Sequence, residues 1–166
     1  MKAILYTSNT GTTKEYATML GNILDLPVYD IKEVKNLENG DDIIYLGWIM
    51  ASSVKGYKKI KSKFNVKALV GVGMGGNGSQ LKEIREKNKV DESIPVFSLQ
   101  GGFDINKLHG VYKFMMNTMV KTAGKALANK TDRTKDEEDM YQMMLHGGSK
   151  VSKENLTDII NWYHSL

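Results

Sequence analysis

The chain has no cysteine among its 166 residues, which excludes disulfides, thiolate metal centres and a cysteine nucleophile. Any redox role would have to rest on a cofactor. Histidine is almost as scarce. His109, His146 and His164 are too scattered to form a metal set, and no acidic residue is spaced with them like a known site. A surface or packing role is the reading for each. No convincing catalytic acid or base stands out, and no metal ligand is expected. Long apolar runs are also missing: none approaches the roughly 20 residues of a membrane-spanning helix. The start of the chain passes from Met1-Lys2 straight into Ala3-Ile4-Leu5-Tyr6, too short a run for a signal-peptide core. A cytoplasmic location is the expectation.

What is present is an ordinary globular composition. With 41% hydrophobic and 25% charged residues, the disordered, collagen-like and coiled-coil classes lose support, and the length suits a single domain over residues 1–166. The formal net charge of +4 would suit an anionic partner. Its lysines are spread along the whole chain, however, so nucleic acid is not expected.

Short apolar runs alternate with helical patterns. Runs at residues 2–6, 27–31, 42–47, 66–74 and 94–99 predict a parallel sheet with helices on both faces. Ile43-Ile44-Tyr45-Leu46 and Ala68-Leu69-Val70-Gly71-Val72 lack alternating polar residues, as expected of central strands covered on both sides. Tyr16, Met19, Leu20 and Ile23 give the first helix an apolar face, and Thr12 with Glu15 reads as a capping box at its start. A helix is also expected between the third and fourth runs. Residues 104–150 are far more than a simple connection needs. In this segment Leu108, Val111, Tyr112, Met115, Met116, Met119, Val120, Ala123 and Leu127 keep helical spacing, with Lys113, Asn117, Lys121 and Lys125 on the opposite side. The stripe itself is expected to pack on the protein's own core, while the segment as a whole is expected to form a helical cover beside the ligand site and to decide what the protein reacts with. The acidic run Asp136-Glu137-Glu138-Asp139 reads as a solvated helix start in preference to a cation site.

The chemistry concentrates in Thr7-Ser8-Asn9-Thr10-Gly11-Thr12-Thr13. This loop follows a strand and opens a helix, so backbone N–H groups and hydroxyls can converge on an anion at the helix's positive end. Ser8, Thr10, Thr12 and Thr13 each offer a hydroxyl, and Gly11 lets the chain wrap closely. The loop holds no lysine, does not end in Gly-Lys-Ser/Thr, and lacks the Gly-x-Gly-x-x-Gly dinucleotide pattern. A dianionic monoester phosphate held by neutral donors is the ligand chemistry that fits. The glycine cluster at Gly71, Gly73, Gly75, Gly76 and Gly78 reads as a tight turn at the rim of that site.

The segment from Thr7 to Thr13 resembles the phosphate loop of flavodoxins, Thr/Ser-x-Thr-Gly-x-Thr, in the place where those proteins carry it. The resemblance implies a flavodoxin-like three-layer α/β sandwich. Its five-stranded parallel sheet would have the order 2-1-3-4-5, with an extra helical segment between strand 5 and the last helix. It also implies flavin mononucleotide (FMN) as cofactor, with Ser8, Asn9, Thr10, Gly11, Thr12 and Thr13 around the phosphate. Two further loops would sandwich the ring, one through Trp48, Ile49, Met50, Ala51 and Ser52, the other through Gln100, Gly101, Gly102 and Phe103. Trp48, Met50, Tyr57 and Phe103 are candidates for the apolar contacts, whereas Gly101 and Gly102 read as sites of close backbone approach. In layout the chain is similar to the flavodoxin-domain proteins that include the flavodoxin-like protoporphyrinogen dehydrogenases. That likeness implies an FMN-dependent oxidoreductase acting on a porphyrinogen- or quinone-like substrate. The other reading is a soluble electron carrier with a redox partner protein, against which the basic charge counts, since electron-carrier flavodoxins are typically acidic. The lysine face of the extra segment adds an expected contact with an anionic membrane surface.

Overall fold

The computed structural model describes residues 1–104, 107, 108 and 110–166; His109 lies outside the described residues. In chain order the elements are β1 (Ala3–Thr7), α1 (Thr12–Leu24), β2 (Val28–Asp30), β3 (Asp42–Met50), β4 (Ser53–Val54), α2 (Tyr57–Ile60), β5 (Asn65–Gly73), α3 (Leu81–Asn88), β6 (Val96–Gln100), β7 (Gly102–Phe103), α4 (Gly110–Ala128), α5 (Lys135–His146) and β8 (Gly148–Ser149). A 3₁₀ turn at Glu154–Leu156 then leads into α6 (Thr157–His164).

The long strands lie in the order β2-β1-β3-β5-β6 and pair in parallel throughout. Counted over these strands, this is the expected 2-1-3-4-5 order. The chain adds β4, antiparallel to the end of β3, and a separate antiparallel ribbon of β7 with β8, so the strand count exceeds the expectation.

Side chains alternate across the sheet with a period of two, and both faces are covered. Ile4, Ile44, Leu46, Ala68 and Val70 meet Tyr16, Ala17 and Leu20 of α1 and Ile159 of α6 on one face. Leu5, Ile43, Tyr45 and Leu69 meet Ile60 and Ile84 on the other. Burial on both sides explains why these strands read as unbroken apolar runs. Each fully buried Leu or Ile contributes about 1.5–3 kcal/mol relative to exposure.

Two local expectations are corrected. The helix expected after β3 shrinks to the single turn α2, because β3 runs on to Met50 and folds back through β4. Tyr57 and Ile60 anchor that turn in the core. At α1 the cap is Gly11, in the left-handed region at φ 103°, with no side-chain cap bond. Thr12 is already the first helical residue, so the Thr12–Glu15 capping box does not form. A capping box forms instead at α5, where Thr134 and Glu137 satisfy each other's backbone N–H groups. The acidic run is thereby the first turn of that helix, and Lys130, Arg133 and Lys150 pair with Glu137, Glu138 and Asp139.

Tyr16 ties the layers together. Its ring is buried, its hydroxyl donates to the Gln100 carbonyl at 2.5 Å, and it accepts from Asn155 Nδ2 at 2.5 Å. Burial raises its pKa, partly offset by the bond from Asn155. Tyr16→Phe removes only the hydroxyl and strands a buried carbonyl, so it should lower stability by about 1–3 kcal/mol. Urea unfolding should show the loss as a lower midpoint at unchanged slope.

Candidate functional site

Parallel strands send the loops after β1, β3, β5 and β6 to one edge of the sheet, where open α/β sheets bind ligands. A cavity of about 530 Å³ opens there, within the size range of cofactor sites. No charged side chain lines it among the described residues.

The first wall comes from the loop before α1. Asn9, Thr10 and Thr12 line the cavity. Ser8 Oγ accepts from the Gly11 N–H at 3.1 Å, which folds the loop tightly and leaves the hydroxyl proton of Ser8 free to donate. Thr13 lies below, 1% exposed, and its hydroxyl has no hydrogen-bond partner among the described residues. Leaving such a group unpaired costs about 1–3 kcal/mol. A phosphate oxygen at the helix start would satisfy it, and the neutral donors around it fit a monoester phosphate.

The second wall is the β3–β4 hairpin. Trp48, Ile49, Met50, Ala51 and Ser52 all line the cavity. The Trp48 ring meets Tyr112 edge-on at 5.2 Å between centroids, and Lys55 Nζ lies over the same ring, 5.6 Å from its centroid. Tyr57 departs from the expectation: the chain has turned back through β4 before reaching it, so it packs in the core beside Tyr45 and does not reach the cavity.

From the loop after β6, Gly102 and Phe103 line the cavity, whereas Gln100 and Gly101 do not. Gln100 is occupied by the Tyr16 hydroxyl and by Asn77 Oδ1, which accepts its N–H at 2.7 Å. Gly101 donates to the Gly73 carbonyl at 2.7 Å, and a Cβ there would stand 2.8 Å from Val72. Ser8, Gly11 and Thr13 likewise shape the loop without lining the cavity. Gly73 and Gly75 form part of the rim, as the glycine cluster implied.

The third wall departs in part from the sequence expectation. The extra segment stands over the site, but the apolar stripe of α4 does not pack on the sheet core. Among the described residues of that helix, only Met116 and Val120 meet a small buried cluster of Phe103, Leu108 and Met143. Val111 is 70% exposed, and of the whole helix Gly124 alone is buried among the described residues. The edge carrying Tyr112, Met115, Met116, Met119 and Ala123 faces the cavity instead, joined by Met140 and Met144 of α5. With Met50 and Met74, seven of the ten methionines line this one space. The reason is position: α4 stands over the C-terminal edge of the sheet, not on a face, so its stripe has a cavity beneath it. Methionine crowding at helical spacing was the available signal, and it does not distinguish a core from a pocket lining.

Among the described residues no group of three or more His, Asp or Glu could hold a metal, and no helix is long and apolar enough to cross a membrane.

A family model described as a flavodoxin domain matches residues 3–130. The chain belongs to the flavodoxin-domain family. The match spans β1 to α4 and therefore all four loops around the cavity of this flavodoxin-domain protein, while α5, β8 and α6 lie beyond it. No curated protein and no solved structure gave a significant match. The family is one of flavin-binding proteins, and the neutral, hydroxyl-rich cradle at α1 suits the phosphate of FMN.

The β7–β8 ribbon ties α5 to this site. A Cβ on Gly102 would collide with the Gly148 carbonyl oxygen. Gly102→Ala should break that pairing and destabilise the protein by about 1–3 kcal/mol. Amide exchange at Gly148 and Ser149 should accelerate well before that of β1 and β3.

Proposed function

We propose that the protein binds FMN in this cavity and works as an oxidoreductase on a flat, largely apolar substrate of the porphyrinogen or quinone kind. The observation that carries this reading is the methionine wall of α4 and α5 facing the hairpin wall across one uncharged cavity. Unbranched, polarizable methionines adapt to irregular apolar shapes, and a ring system between the two walls would be shielded from water. FMN supplies hydride and electron chemistry when bound. The chain's own part is to hold and orient. Thr10, Thr12 and the first N–H groups of α1 would hold the phosphate, with Ser8 and Thr13 as further hydroxyl donors. Trp48 to Ser52 and Gly102-Phe103 would hold the ring. The extra helices between the fifth long strand and α6 resemble in layout those of the flavodoxin-like protoporphyrinogen dehydrogenases, which supports this substrate class.

The alternative is a soluble flavodoxin-type electron carrier, in which the helices only shape a docking surface for a redox partner protein. The exposed edge of the cover favours it, since Tyr112 keeps 39% of its surface in solvent. Titration of apoprotein with FMN and with flavin adenine dinucleotide, followed by turnover assays on porphyrinogen and quinone, separates the readings. Tight FMN binding with no turnover of either substrate would favour the carrier, and equal affinity for both flavins or none would overturn the cofactor reading.

Thr13→Val gives a two-sided check. The apoprotein should be unchanged or slightly stabilised, because an unpaired buried hydroxyl is removed. FMN affinity should fall about ten- to a hundredfold, the usual worth of about 1.5–3 kcal/mol for a bond to a charged group. Calorimetry of the two states and flavin fluorescence quenching measure the pair of effects.

The outward face of α4 fits a contact with an anionic membrane surface, where apolar substrates of this kind dissolve. At 100° per residue, Phe114, Lys121 and Lys125 share a side opposite the cavity edge, and Phe114 is 73% exposed. Each lysine near such a surface contributes about 1 kcal/mol before screening. Phe114→Ser, and Lys121→Gln with Lys125→Gln, should each reduce co-sedimentation with anionic vesicles, the lysine effect fading at high salt. Neutral vesicles should bind poorly throughout, and unchanged sedimentation of all variants would remove the membrane role.

A further inference from the structure

The turn between β3 and β4 contains only Ala51 and Ser52, and both sit at positive φ, 48° and 60°. Two-residue hairpins take this shape readily with Asn-Gly or Gly-Gly, whereas Ala and Ser in the left-handed region are strained. Something outside the turn must hold it. Asn88, the last residue of α3, reaches across: its Oδ1 accepts from the Val54 N–H at 2.9 Å and its Nδ2 donates to the Ser52 carbonyl at 2.9 Å. The same Nδ2 also donates to the Ile84 carbonyl at 2.7 Å, which fixes the amide's orientation.

The anchor behind Asn88 is itself rigid. Ile84 is fully buried in the core, and Lys61 Nζ donates to the backbone carbonyls of Asn88 and Lys89 at 3.1 and 3.3 Å. Asn88 does not line the cavity, but the turn it holds does, through Met50, Ala51 and Ser52.

We infer that Asn88 is a positioning residue that clamps the Ala51-Ser52 turn in its left-handed form and thereby sets how the hairpin backbone meets the flavin ring. The ring part rests on the proposed function, whereas the clamp rests on geometry alone. A side chain on a different helix thus determines the shape of one wall of the site. Loosening the clamp lets the turn relax toward unstrained backbone and withdraws that wall, while the phosphate loop stays intact.

The test compares wild type with Asn88→Ala and Asn88→Asp. In apo Asn88→Ala, amide exchange at Val54 should rise at least about tenfold, with the amides of β1 and β5 unchanged as an internal reference. Affinity for FMN and for riboflavin should fall by the same factor, about tenfold, because the hold lost is on the ring and not on the phosphate. The flavin midpoint potential should shift with it. Asn88→Asp keeps the acceptor for Val54 but sets a carboxylate against the Ser52 carbonyl. Its Val54 amide should stay protected while both flavins bind more weakly, so it tests the clamp even if the alanine variant fails to fold. Ser52→Gly supplies the rescue, since glycine takes the left-handed turn without strain. In that background the loss caused by Asn88→Ala should shrink to about threefold or less. Unchanged Val54 exchange in a folded Asn88→Ala variant, or an equal loss with and without Ser52→Gly, would overturn the clamp. If wild type takes up no flavin, the function reading and the ring part fall together, and the Val54 exchange of Asn88→Ala still decides the clamp.

Discussion

The parallel pairing of β1 with β3, from Ala3 opposite Ile43 to Thr7 opposite Gly47, is the contact on which the site depends. Because the two strands run the same way and β3 continues only from Gly47 to Met50 past its last pair with β1, the loop that opens α1 and the hairpin after Met50 leave the sheet at the same edge. The same direction in β5 and β6, paired from Leu69 opposite Val96 to Gly73 opposite Gln100, adds the glycine-rich turn and the Gly102-Phe103 strand to that edge. An antiparallel partner at any of these places would send one wall to the far end of the molecule. Parallel order requires crossover connections, usually helical, the helices of this chain cover both faces, and covered faces demand the unbroken apolar strands.

That chain of necessity is why so much of the architecture is legible in the sequence. Ile43 to Leu46 and Ala68 to Val72 can be placed near the centre because apolar runs without alternation have few other homes. The phosphate-type loop is legible because small hydroxyl residues around Gly11, between a strand and a helix, leave little else for that backbone to do. Tyr57 is misread from sequence for a complementary reason. Its neighbours do not announce a turn: Ala51 and Ser52 are not the residues a two-residue hairpin usually takes, so the reversal through β4 leaves no signal and the aromatic falls into the wrong layer.

That residues 104–150 form a cover is legible in their length and place, but what the stripe of that cover faces is not, for a different reason. Periodicity shows that one side of α4 is apolar, but not whether the surface opposite it is side chains or space. Met115, Met116 and Met119 satisfy either. The distinction lies in where β7 and β8 deliver the ends of this segment. Gly102 lies so close to the Gly148 carbonyl oxygen that a Cβ on Gly102 would collide with it, and this pairing holds the ends of the segment over the strand ends instead of against a face. A single backbone contact of low sequence signal therefore converts a core-like stripe into a cavity lining.

Backbone strain follows the same geography. Among the described residues, six other than glycine hold positive φ: Asp25, Asn36, Ala51, Ser52, Gln80 and Lys89. Asp25 and Lys89 end α1 and α3, where a left-handed residue closes a helix in the ordinary way. Asn36 sits in the loop between β2 and β3, and asparagine takes the left-handed region readily. Ala51, Ser52 and Gln80 have no such explanation, and all three line the cavity. Strained conformations persist only where surrounding structure over-determines them, and they gather where a site needs a shape the relaxed chain would not keep. Here the over-determination is visible atom by atom at Ala51 and Ser52, in the Asn88 amide and in the helix behind it, which Ile84 anchors in the core. The rigid layers of the sheet supply the stability, and the cavity edge is where part of it is held as shape.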